Sequence, residues 1–212
     1  MATRVYLEIG KRRVFASAAD WPGWTRAGKD EETALEALAA AAPRYGAVAK
    51  AARIAFAPSG GFTIVERLPG DATTEFGAPG AIAKAESRRL TKKEAGRLSA
   101  LVSATWTVFD RVVAGAPASL TKGPRGGGRD RDAIVEHVLG AETAYARKLG
   151  LRLKPPDPKD AAAVREHRNA LVAGLRGGTK GVSERGWPAR YVARRAAWHS
   201  MDHAWEIEDR TP

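Results

Sequence analysis

The chain has 212 residues, of which 44% are hydrophobic and 28% charged, ordinary material for a buried core that excludes disorder of the whole molecule. Lys and Arg number 35 against 24 Asp and Glu, a formal net charge of +11, which attracts phosphates or acidic metabolites without choosing between them. There is no cysteine, so disulfides, thiolate-bound zinc, iron–sulfur clusters and thiol nucleophiles are excluded, and any metal must be held by His, Asp or Glu.

The first ten residues lack an apolar run long enough for a signal peptide, and nowhere are there about 18 consecutive apolar residues to span a bilayer. The expectation is a soluble cytoplasmic protein that does not engage a membrane. Val5, Leu7 and Ile9 alternate in the strand manner, and Gly10-Lys11 separates them from a second strand over 12–17, which predicts a hairpin. Asp30 opens an alanine-rich helix over 31–42, with acidic residues in its first turn and Pro43 interrupting it. A further strand at 62–68 follows the turn Pro58-Ser59-Gly60-Gly61.

Beyond Pro69-Gly70 a linker carries Gly77, Pro79 and Gly80, and then the pattern is helical only, over 91–114, 130–149, 158–175 and 188–209. The predicted architecture is an α+β domain of β-β-α-β order at 1–80, followed by an all-α four-helix bundle at 81–212. Charge divides at the same place. Residues 1–80 hold 10 basic and 9 acidic groups, the remainder 25 and 15, so the basic character belongs to the helices.

Four histidines are present, His137, His167, His199 and His203. His199 and His203 lie four apart on the last helix, one turn from each other, on a face that also carries Val192, Ala196 and Ile207. That face is expected to look into the bundle. His137 sits one position from the Ile134, Val138, Ala141, Tyr145 stripe of the second helix, so three imidazoles from two helices can converge. Three His ligands leave a coordination position open, as catalytic sites do, and zinc, nickel or iron(II) would accept them. The residues alone leave a second reading open, an i,i+4 pair engaged in capping or surface chemistry. His199-Ser200-Met201-Asp202-His203 lacks the Glu after the first His of a zincin protease. His167, within Arg165-Glu166-His167-Arg168-Asn169, reads as a surface residue.

His137 in Ile134-Val135-Glu136-His137-Val138-Leu139, with His199-x-x-x-His203 about sixty residues later, resembles the DinB/YfiT-like superfamily of four-helix-bundle metalloproteins, over residues of about 85–212. The resemblance implies that His137, His199 and His203 bind a divalent metal. It also implies a low-molecular-weight thiol co-substrate, of the mycothiol or bacillithiol kind, used in S-transfer or isomerisation. A bound metal lowers a thiol's pKa, and activation of water for hydrolysis is the competing use of the same position.

Asp202 and Glu206 each lie three residues after one histidine of the pair. They are the candidate catalytic or imidazole-orienting carboxylates, or else surface partners of Arg194, Arg195 or Arg210. Arg125 and Arg129, in the glycine-rich loop before the His137 helix, are candidates for holding an anionic group, and Asp130 is a candidate N-cap. Tyr145 and Trp198 are candidate substrate walls, although packing in a core or dimer interface explains the tryptophans more simply. Arg88-Arg89, Lys92-Lys93 and Arg97 read as a solvated helix face; without a recognition helix or interleaved aromatics, nucleic acid binding is disfavoured.

Residues of about 3–53, with Asp20-Trp21-Pro22-Gly23-Trp24 and the alanine-rich helix, are similar to HicB-like domains. That similarity implies a small ferredoxin-related α+β fold. Pro22-Gly23 suits a type II turn. The sequence therefore points to a metal-dependent enzyme acting on a small molecule, expected as a homodimer. The alternative is a non-enzymatic, antitoxin-like module contacting a protein partner or nucleic acid, or a bundle used only for assembly.

Overall fold

The computed structural model describes residues 2–58, 60–123, 127–177 and 186–212. Three strands open the chain, β1 (Thr3–Ile9), β2 (Val14–Ala18) and β3 (Thr25–Gly28), followed by helices α1 (Glu31–Ala40) and α2 (Ala42–Ala51) and strand β4 (Phe62–Pro69). The sheet order is β3-β2-β1-β4, with β1 antiparallel to β2 and parallel to β4. The β1–β2 hairpin is in place, with Val5 opposite Ala18 and Ile9 opposite Val14.

Before β4, two elements differ from the sequence expectation. β3 is a third N-terminal strand, only four residues long, too short to show alternation. Pro43 does not end helical structure: α1 stops at Ala40 and α2 begins at Ala42, with Pro43 in its first turn, where a missing N–H costs nothing. Asp30 caps α1 as expected, accepting from the Thr33 amide at 2.9 Å.

The turn at Pro22-Gly23 has the type II signature, with Gly23 at φ +94 and the Trp24 amide bonded to the Trp21 carbonyl at 3.0 Å. A side chain at Gly23 would meet Ala197 O and Met201 of the last helix at 3.2 and 3.3 Å. The turn therefore docks directly on the helical half. Trp24 is fully buried, stacks on Tyr45 at 5.8 Å and donates its indole N–H to Leu38 O at 2.8 Å.

The linker is ordered. It holds a short helix, α3 (Ala72–Phe76), and a 3-10 turn at Lys84–Ser87. Four long helices follow, α4 (Lys92–Gly115), α5 (Arg131–Lys148), α6 (Ala161–Gly177) and α7 (Ala189–Arg210), each within a few residues of its predicted span. A mixed four-stranded sheet followed by helices is thus the layout of the chain.

One apolar cluster runs through both halves, joining Val5, Leu7 and Leu38 to Leu101, Phe109, Ile134, Met201 and Trp205. The opposite face of β1 and β2 meets the linker and α7, where Phe15 stands edge-on to Trp198 at 6.3 Å. α7 packs on α4, α5, α6 and the linker, and every residue from Tyr191 to Met201 is buried. Alanines at 193, 196, 197 and 204 allow this close approach from all sides. No helix among the described residues is long and apolar enough to cross a membrane.

Candidate metal centre

The fully buried Ile134 and Val138 anchor α5 in the core, and His137, between them in sequence, is left at the edge of the α5–α7 seam. Its Nε2 lies 3.2 Å from Nε2 of His199, and His203 completes the group, with ring centroids 4.6 Å from His199 and 5.0 Å from His137. One nitrogen from each ring falls within 4.8 Å of the others. The three histidines named from the sequence are therefore brought together, with His199 buried, His203 partly so and His137 the most open.

Two observations fit a metal. Imidazole nitrogens at about 2.0–2.1 Å from one tetrahedral ion lie about 3.3 Å from each other, close to the separation of the His137 and His199 nitrogens. In addition, the only hydrogen-bond partner of the buried His199 ring among the described residues is the His137 imidazole, through Nε2, its Nδ1 having none, so the nitrogen facing the cluster is held by nothing but another potential ligand. Burial drives the pKa of His199 well below the ordinary value, helped by His203, His137, Arg195 and Arg129. Burial likewise lowers His137, with His203 and Arg129 adding to the effect. Neutral imidazole, the form that ligates, is thereby favoured.

The two candidate carboxylates separate. Glu206 accepts from His203 Nδ1 at 2.7 Å and from Arg210 Nη1 at 2.5 Å, so it orients an imidazole and pairs with an arginine at once. The hydrogen bond to His203 is the main reason its carboxyl titrates below the usual range, with Arg210 assisting against burial. Asp202 turns to the sheet, meets Arg26 at 3.8 Å and is 43% exposed. The partner expected among Arg194, Arg195 and Arg210 is found only for Glu206, because Arg194 and Arg195 are themselves buried against the linker.

Arg129 is exposed, yet its charge reaches His137 and His199, which puts it at the rim. Arg125 lies outside the described residues. Tyr145 is edge-on to His199 at 6.1 Å and Trp198 is tilted against it at 5.9 Å. Both are buried beneath the Arg195 guanidinium, 5.7 and 5.0 Å from their rings, so Trp198 serves as packing between sheet and bundle more than as an open wall. Asp130 does not cap α5; its carboxylate accepts instead from the Leu120 amide at 3.1 Å and Lys122 at 2.6 Å.

His167 is a correction. It is buried, 3.4 Å from Thr143 Oγ1, because it shares one face of α6 with Leu171 and Leu175, each four residues on. That spacing was visible in the sequence. Missed altogether was Glu86, a buried acid of the linker bonded to Arg194 at 2.7 and 3.0 Å.

No family model matches the chain, and no curated protein or solved structure does.

Proposed function

We propose that this protein is a divalent-metal-dependent enzyme of the DinB/YfiT-like kind, with a HicB-like N-terminal layer, acting on a small-molecule substrate. The observation that carries the reading is the convergence of His137, His199 and His203 within 4.8 Å. A binding module has no need of such an arrangement. When bound, a divalent ion supplies Lewis-acid chemistry at an open coordination position, lowering the pKa of a small thiol or of water.

The chain's own residues prepare that position. Glu206 accepts the Nδ1 proton of His203 and fixes the tautomer whose Nε2 is free to ligate. Arg210 holds Glu206 and is itself bonded to Thr121 O at 2.9 Å, tying the loop before α5 to the end of α7. Tyr145 and Trp198 keep water from the inner side of His199, while the charge of Arg129 draws an anionic co-substrate toward the open side. The resemblance to thiol-using members of that superfamily places S-transfer ahead of hydrolysis, and in a chain without cysteine the sulfur would come from a separate thiol.

Metal content tests the reading. The purified protein should hold about one zinc, nickel or iron per chain, and His199→Ala/His203→Ala should hold none. Equal, substoichiometric metal in both would overturn the proposal. With metal established, turnover that requires an added low-molecular-weight thiol supports S-transfer, and thiol-independent turnover supports hydrolysis.

A further inference from the structure

At the end of α7 away from the histidines lies a cleft of about 610 Å³, lined by Arg88, Arg89, Lys92 and Arg176 with Thr91 and Pro188. It opens where α7 begins, ten residues before His199, about 15 Å along the helix. The two sites do not overlap.

All four basic side chains are exposed, and none pairs with an acid among the described residues. Glu94, in the first turn of α4, is already held by Arg190 at 2.6 Å and by the Thr91 amide at 2.8 Å. The buried arginines are treated differently. Arg168 is matched by Glu142 and Asp110, and Arg194 by Glu86. Four cations without an acidic partner among the described residues, drawn from three segments around one concavity, create a positive field that attracts an anion.

The backbone adds to the same field. Lys92 and Ala189, which border the cleft, are the first residues of α4 and α7, helices of 24 and 22 residues. Pro188, at the N-cap of α7, gives its first turn no side-chain acceptor. The first turn of α4 is already closed by the Thr91–Glu94 capping box, so it is the uncapped start of α7, with no acidic residue in its first turn, that reinforces the four side chains.

We infer that this cleft binds a small polyanion carrying two or more phosphate groups. Its size lies within the usual range for small-molecule pockets, about 300–1,000 Å³. Among the described residues its lining contains no aromatic side chain on which bases could stack, which argues for a compact polyphosphate over a nucleic acid strand.

Titration calorimetry on the full-length, metal-free protein at about 0.15 M salt, with tripolyphosphate, pyrophosphate and orthophosphate as probes, tests the inference. Chelation of metal beforehand removes the histidine site as a competing anion receptor. The expected result is saturable one-to-one binding of tripolyphosphate, at least about tenfold tighter than orthophosphate, as additional charge-assisted contacts require. Arg89→Glu/Lys92→Glu should weaken it at least tenfold with the melting temperature unchanged, and His199→Ala should leave it intact. Arg176→Gln, on a different helix, gives an independent loss if the double variant is unstable. The inference is overturned by absence of saturable binding, by several ions per chain, by variants that bind as well as the parent, or by a short DNA duplex displacing tripolyphosphate at lower concentration.

Discussion

α7 carries two polar clusters that were solved in opposite ways. Near its start, Arg194 and Glu86 are both 4% exposed and close on each other, with Tyr6, Pro79 O and Ala81 O completing the set. One and a half turns later, His199 is nearly as buried but keeps one ring nitrogen unpartnered and presents the other to a second imidazole. A cluster that spends every donor and acceptor internally holds the linker to the helix. A cluster whose facing nitrogens meet only one another is available to an ion.

Breaking the first cluster should have the largest effect on stability. Glu86→Ala strands the Arg194 guanidinium in the interior, and loss of one partner of a buried ion pair costs about 3–5 kcal/mol. Chemical denaturation should show that loss while the His triad remains competent for metal in whatever fraction stays folded. A change under about 1 kcal/mol would mean that the pair is not the structural half of the contrast.

Filling the second cluster should act in the other direction. Zinc at about 100 times its dissociation constant should stabilise the native state by about 2.7 kcal/mol, read as a rise in melting temperature absent from His199→Ala/His203→Ala. An equal rise in that variant would assign the stabilisation to other groups. Next in size is Glu206→Gln, which keeps the shape but weakens the acceptor at His203 Nδ1. Metal affinity should fall about 10–100-fold, with the apo-protein melting temperature nearly unchanged, since Glu206 is a third exposed. Unaltered affinity would leave the carboxylate as a partner of Arg210 alone.

The sequence disclosed these two clusters unequally, for physical reasons. Helical periodicity marked α4 to α7, and the four-residue interval of His199 and His203 marked a shared face, because both signals are local. Glu86 and Arg194 are 108 residues apart, and nothing in Ala85-Glu86-Ser87 announces an acid buried by a distant arginine. α3 was legible in principle: Asp71 and Thr74 form a capping box, with the Thr73 amide bonded to Asp71 at 2.7 Å. β3 and α2 were hidden by brevity and by Pro43. The charged sequence neighbours of His167 point to an exposed residue, whereas Leu171 and Leu175 on the same helical face carry it into the core.

The smallest expected effect concerns pH, and it separates the clusters again. Burial lowers the folded-state pKa of His199, His137 and His167, whereas each reverts to about 6.5 when unfolded. Below that value the unfolded chain takes up protons that the native state resists, so apo-protein stability is complete above about pH 6.5 and declines as pH falls toward the lowered native values. His199→Asn should flatten this slope and His167→Asn should flatten it independently, since His167 lies outside the triad. Metal should steepen it, because protons then compete with the ion for the same nitrogens. Melting temperatures recorded from pH 7.5 to 5, with and without zinc, measure both effects. A zinc-induced stabilisation as large at pH 5 as at pH 7.5 would show that the ion is not held by these imidazoles.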